Sequence, residues 1–406
     1  MHSSTALSAP TRALAPSARA EGTLSFEIAD EIGAWEGLWR ELEARGTASP
    51  YQRFDWVKAY LDAHRDVAAF EACIILFRDA GGQPVLLLPL GIRRTAAGRI
   101  ADIVGDKHAN FHAPLMRTGA LRAIPAGDMR ALLVDAGRRL GIDGYAFTNL
   151  PVAWQGEPNP LAAGGRPSPS NGYKLTLDAD PEATLARALS KDTRKKLRRK
   201  EKALSEIGPV AYRIAASDAE ADAMLDAFLR LKRERFRELG ISNPFDEPET
   251  ERFLRAAARA GLDPAAPALE LHALAVGERF VAVFGAASDA TRCSGMMIAF
   301  DPEPAIARCS PGDLLLTHVL RAQCAAGRAT FDLGVGEARY KSSLCDEVET
   351  LVDVSIPVSW RGRLHAAAAA GLGGAKRRVK QTPWLWRAVL AARKLKARAA
   401  APAVDA

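Results

Sequence analysis

The sequence predicts an α/β fold, of the α+β kind, arranged as two successive units of mixed, twisted sheet flanked by helices. Three observations predict it. Helical periodicities alternate with short apolar runs in both halves of the 406 residues. Pro151 to Ser170, rich in Pro, Gly and Ser and without a period, divides them. The second half reads as three helices, a three-strand meander, a crossover helix and two strands.

In the first half, Ile32–Arg45 places Trp35, Leu38, Trp39 and Leu42 at helical spacing, and Phe54–Ala63 places Trp56, Val57, Tyr60 and Leu61 likewise. Phe70–Phe77 and Pro84–Ile92 are apolar runs across Asp79-Ala80-Gly81-Gly82, a hairpin signal. Ile100–Val104 reads as a strand, Arg130–Leu140 as a helix and Gly144–Leu150 as a strand. The boundaries are therefore 25–150 for the first unit and 151–170 for a linker.

The second unit, 171–360, opens on an alternating strand, Tyr173–Leu177. Asp180-Pro181 starts a helix expected to run to Ile207 and stop at Gly208-Pro209. Ser217 to Glu220 forms a capping-box pattern for a helix that Gly240 ends, and Glu249–Ala260 is the third. Leu269–Val276, Arg279–Ala287 and Arg292–Phe300 are the meander, Pro311–Ala326 the crossover helix, and Thr330–Leu333 and Leu351–Ile356 the closing strands.

Composition narrows the class. Hydrophobic residues make up 48% and charged residues 25%, enough for sizeable cores without metal or disulfide staples. The five cysteines are odd in number and form no Cys-x-x-Cys pair, which argues against a disulfide framework and a zinc ribbon and suits a reducing cytoplasm. No run of 18 apolar residues occurs. Residues 1–24 read as a disordered leader without the apolar core of a secretory signal. The net charge of +7 is uneven: residues 361–406 hold eleven Lys and Arg against one acid, or +10, so residues 1–360 sum to −3. Lys191–Lys202 carries eight bases and two acids. Such a run is a solvated face or a phosphate-binding one, and with no interleaved aromatics nucleic acid is not the expected partner.

Two segments concentrate chemistry. Arg308-Cys309-Ser310-Pro311-Gly312-Asp313 lies between a strand and a helix. Backbone N–H groups and the helix dipole make such a start an anion site suited to a pyrophosphate, unless it is an ordinary capped helix. Phe331 to Lys341 runs a short buried strand into a glycine-spaced loop bearing Asp332, Glu337, Tyr340 and Lys341. The alternative is a turn needing glycine at Gly334 and Gly336, with Asp332 capping the loop and paired to Lys341. Gly105 to His112 places His108 and His112 four apart, but Ala109 stands where a zinc helix needs Glu, so no metal is expected and a polar loop facing a cleft is.

With these residues in view, the second half resembles the GNAT superfamily of acyl-CoA N-acyltransferases, and more narrowly its CelD/BcsL-like group, related to FemAB-type transferases. The matching segments are Ser190–Arg199, Val276–Ala282, Ser310-Pro311-Gly312, and Phe331–Glu337 followed by Tyr340-Lys341; Pro50–Trp56 and Leu88-Pro89-Leu90 resemble the group's amino-terminal part. The resemblance implies two tandem GNAT-like domains. It implies pantetheine between Arg292–Phe300 and Thr330–Leu333, and acetyl-CoA as co-substrate, with its pyrophosphate on the amides of Ser310, Gly312 and Asp313 beside Arg308 and Lys341. Only Arg308 and Gly312 survive from the usual phosphate loop, and Asp313 is acidic.

The implied activity is direct attack of an amine on the thioester. The acceptor would be a small molecule, a sugar or an envelope or polysaccharide precursor, and Tyr340, Asp332 and Glu337 would be the catalytic candidates. The alternatives are a FemAB-like transferase using charged tRNA and a non-catalytic membrane-surface adaptor. Localisation is expected to be cytoplasmic, with weak anionic-membrane contact through Trp384, Trp386 and the basic tail. Activity is expected to survive truncation near Arg361.

Overall fold

The computed structural model describes residues 24–120, 126–262, 268–336, 341, 344–382, 384, 385 and 389. The proposed leader lies outside them except for Leu24, as do Glu337, Tyr340, Trp386, Arg387, Arg393 and Lys394.

The strands are β1 (Leu24–Ala29), β2 (Gly46–Thr47), β3 (Phe70–Asp79), β4 (Pro84–Thr95), β5 (Gly98–Ile103), β6 (Leu115–Arg117), β7 (Gly144–Pro151), β8 (Ala153–Trp154), β9 (Glu157–Pro158), β10 (Arg166–Pro167), β11 (Gly172–Thr176), β12 (Val210–Ile214), β13 (Glu270–Val276), β14 (Arg279–Ser288), β15 (Arg292–Phe300), β16 (Thr330–Val335), β17 (Glu347–Glu349) and β18 (Leu351–Pro357). The helices are α1 (Glu36–Arg45), α2 (Phe54–His64), α3 (Ala126–Arg139), α4 (Pro181–Ala188), α5 (Lys191–Ser205), α6 (Asp218–Leu239), α7 (Pro248–Ala260), α8 (Pro304–Ala307), α9 (Pro311–Ala325) and α10 (Trp360–Gln381).

Two mixed sheets result. The first has the order β1-β3-β4-β5-β7-β18-β10, with β2 and β6 beside it; the second runs β12-β13-β14-β15-β16-β11-β17. They correspond position by position. Each is an antiparallel meander followed by a crossover helix, α3 or α9, and a strand parallel to the meander's last member: β5 with β7, and β15 with β16.

The sixth position of each sheet is exchanged. β11, which precedes the second unit's helices, pairs antiparallel with β16. β18, which follows that unit, leaves it and pairs antiparallel with β7 of the first. The expectation that Leu351–Ile356 closes the second unit is corrected accordingly. Alternation along a strand sets which face is buried, not which sheet receives it. Here Val352, Val354 and Ile356 bury in the first unit's core.

Local chemistry explains most boundaries. Ser190 Oγ accepts from Thr193 N, so the one helix expected from Pro181 to Ile207 is two, with Ser190 capping the second. Ser217 Oγ accepts from Glu220 N, Glu220 Oε2 accepts from Ala216 N just before the cap, and Gly240 ends α6 at φ 60°. The 151–170 stretch is no open tether. Trp154 is buried with its Nε1 donating to Ala48 O, and Leu161 joins the first core.

One core binds the two units. α2 lies against α7, and the Trp56 and Phe253 rings meet edge to face at 5.0 Å between centroids. A further cluster fills the other side of the second sheet, beneath α4, α5 and α9. α10 packs on β18 and β7, tied by Arg377 Nη1 to Ser168 O and by Lys380 Nζ to Ser170 Oγ.

Candidate active site

β15 and β16 pair parallel at Arg292–Thr330, Cys293–Phe331 and Ser294–Asp332. Beyond Ser294 and Asp332 they part. Each strand then exposes backbone groups that the other no longer satisfies, and these must find partners. Asn110, from the first unit's loop, supplies them: its Nδ2 donates to Gly295 O at 2.7 Å and its Oδ1 accepts from Val335 N at 3.1 Å. Asn110 Nδ2 also reaches Tyr51 Oη at 2.6 Å, and that hydroxyl donates to Ser294 O. Burial pushes the Tyr51 phenol well above its ordinary range, so it stays a neutral donor.

Glycine makes the arrangement fit. Gly334 has φ +74°, and a Cβ there would lie 2.3 Å from Asn110 Oδ1. Gly336, at φ +106°, is likewise in a region that favours glycine.

Asp332 is fully buried, and both of its oxygens are engaged. Oδ2 accepts from Arg292 Nε at 2.7 Å and from Ser294 Oγ; Oδ1 accepts from Gly334 N at 3.0 Å. It caps the loop, but its cation is Arg292 rather than Lys341. Arg292 also pairs with Glu349 at 2.8 Å and lies over the Trp154 and Phe111 rings, at 4.3 and 4.8 Å. Burial pushes the Asp332 carboxyl up, and Arg292 and Ser294 pull against it. Three donors thus hold the carboxylate between β15 and the loop after β16. Lys341 Nζ donates to Val335 O at 3.0 Å and lines the cavity between the strands.

The start of α9 differs in part from expectation. Ser310 N donates to Ala307 O and Asp313 N to Ser310 O, so two of the three amides assigned to the pyrophosphate are spent. Of the three, the Gly312 N–H has no backbone partner among the described residues. A Cβ on Gly312 would lie 3.2 Å from the Phe300 ring. Ser310 adopts φ 51°, a left-handed conformation unusual outside glycine, and its hydroxyl accepts from Lys200. Lys200 belongs to the basic helix α5, whose Thr193 and Leu197 border a cavity of about 210 Å³ with Asp313 and Thr317 of α9. Arg194 Nε of α5 is buried without a partner among the described residues. Arg308 is exposed beside this helix start.

His108 and His112 do not converge. His108 Nε2 meets Thr250 Oγ1 and His112 Nδ1 meets Thr148 O; burial lowers both, His108 to about 4. The loop serves the cleft through Asn110 instead.

Residues 191–342 match the Acetyltransferase (GNAT) domain family. The matched segment runs from α5 through β16 and so contains the parted strands and the start of α9. No curated protein matches the chain. Among solved structures, FemX superposes with TM-score 0.56 at 10% identity, over 83% of this chain and 98% of its own, which shows a shared fold. A tandem GNAT protein from the clavulanic acid biosynthesis pathway gives TM-score 0.45 at 15% identity over 83% and 99%. L-PGS from Bacillus licheniformis gives 0.47 at 10% over 78% and 96%.

Sequence reading missed Tyr51, Asn110 and Lys232. Tyr51 and Asn110 stood inside segments already singled out, but their partners are more than 180 residues away. For Lys232 a signal existed: it interrupts the stripe Phe228, Lys232, Phe236 at four-residue spacing.

Proposed function

We propose that the protein transfers an acyl group, an acetyl group in the simplest case, from coenzyme A to an amine carried by a small molecule, a sugar or an envelope precursor. The observation that carries this reading is the parting of β15 and β16 beyond Ser294 and Asp332, held open by Asn110 and lying beside the α9 start. A pantetheine is a strand-like chain of amides and fits between two strands whose backbones have separated. Phosphates require cations and free donors. The basic α5 against α9, the orphaned Arg194 Nε, the Gly312 N–H and the left-handed Ser310 suit that requirement.

The chain's own part in the reaction is positioning. Transfer needs the amine held against the thioester carbonyl, which can be worth about 7–11 kcal/mol of the barrier. The Arg292–Asp332 strut and the Asn110 bridge fix the two strands that would do it.

Calorimetric titration with acetyl-CoA tests the donor, and thiol release in an amine screen tests transfer. Binding in the micromolar range and amine-dependent thiol release are expected. The charge of α5 also favours a second reading, a charged tRNA as donor. No heat with acetyl-CoA, together with RNA co-purifying with the chain, would replace the first reading with the second.

A further inference from the structure

The cavity between the parted strands has a volume of about 170 Å³ and is bordered by Asn110, Gly295, Leu333, Val335, Lys232 and Lys341, whose Nζ is bonded to Val335 O. Lys232 comes from α6, and its setting is unusual. Its neighbours on that helix pair with carboxylates: Arg230 with Glu234, Arg233 with Asp246, Arg235 with Glu238. Lys232 forms no ion pair among the described residues. Its Nζ stands instead 5.6–5.7 Å from the ring centroids of Phe228, Phe236 and Phe245.

The three rings hold an ammonium by its charge while keeping water from it. Desolvation draws its pKa down to about 8, so near neutral pH the group remains a cation. Such a cation gains most from an anion that enters the cavity already shaped around it. No Asp or Glu borders that cavity among the described residues, so an incoming ammonium alone would meet positive potential.

We infer that Lys232 is the specificity residue for the acceptor, binding a carboxylate that the acceptor carries near its reacting amine. The inference rests on the proposed function for the word acceptor, and the acceptor class it names is an amino acid or another amine with a neighbouring carboxylate.

The test is thermal stabilisation of the full chain at pH 7 by a panel of L-amino acids, the matching L-amino-acid amides, and glucosamine as an amine without a carboxylate. It is run on wild type, Lys232→Met and Lys232→Arg. At least one amino acid should stabilise wild type, with its amide at least tenfold weaker. Lys232→Met should erase that difference and Lys232→Arg should keep it. Equal stabilisation by acid and amide, an unchanged difference in Lys232→Met, or no stabilisation of wild type by any amino acid would each overturn the assignment. Acetyl-CoA titration of the same three proteins separates the two proposals. Its failure sinks the CoA reading and leaves the carboxylate readout intact, and equal affinity in all three places Lys232 on the acceptor side.

Discussion

Asp332 shows how a residue's chemistry depends on its partners. From sequence, a carboxylate in an apolar strand beside a glycine loop was a candidate base. In the fold, three donors fill its oxygens, and its removal leaves the buried Arg292 guanidinium with Glu349 as its one carboxylate among the described residues. Breaking a buried pair by altering one partner costs about 3–5 kcal/mol. Asp332→Asn should therefore lower the melting temperature clearly, with activity lost in step with folded protein. Full turnover loss at unchanged stability would return Asp332 to catalysis. Lys232 makes the opposite case, a cation kept without a carboxylate. Its folded pKa lies below the unfolded one, so between about 8 and 10.5 the unfolded chain binds more protons and stability rises with pH. In denaturant titrations, Lys232→Met should gain stability over wild type near pH 7, and that gain should shrink as pH climbs through this window. A gain that stays constant would show that burial of the cation carries no cost.

At the scale of elements, the parted strands and the start of α9 are set by backbone geometry. Gly334 must adopt φ +74° with the Asn110 amide against it. Gly334→Ala combines backbone strain of about 1–3 kcal/mol with displacement of that amide. The expected outcome is a lower melting temperature together with at least tenfold weaker acetyl-CoA binding. Unchanged affinity would remove Asn110 from the site. Gly312→Val must push the Phe300 ring aside at the end of β15. Donor affinity should fall at least tenfold while circular dichroism stays native. Equal affinity in calorimetry would move the pyrophosphate away from α9. The caps of α4 and α6 were legible because an Asp or Ser with the right spacing satisfies its own helix locally. The break at Ser190 was not, since the same residues also continue a helical period.

The whole molecule is joined by exchange. β18 travels from the second unit into the first sheet, β11 sits beside β16, and α10 covers β18 and β7. Truncation near Arg361 therefore removes a docked helix and not a loose tail. A chain ending at 359 should be less stable and aggregation-prone, whereas one ending at 382 should melt like the full chain. Identical melts for all three would show that α10 contributes nothing to the fold. Among the described residues no helix is long and apolar enough to cross a membrane.

The sequence by itself determined the α/β class, the succession of the main helices and strands apart from β1, β12 and the division of α4 from α5, the site's glycine loop and the start of α9. These depend on short-range rules: periodicity, capping and the conformations glycine permits. Tertiary structure alone decided the exchange of β11 and β18, the commitment of Asp332 to Arg292, the bridge of Asn110 across Gly295 and Val335, and the meeting of three phenylalanines around Lys232. Each is a pairing between groups distant in the chain. An alternating strand records which face is buried but not its neighbour, and a polar side chain records what it can bond but not what it meets.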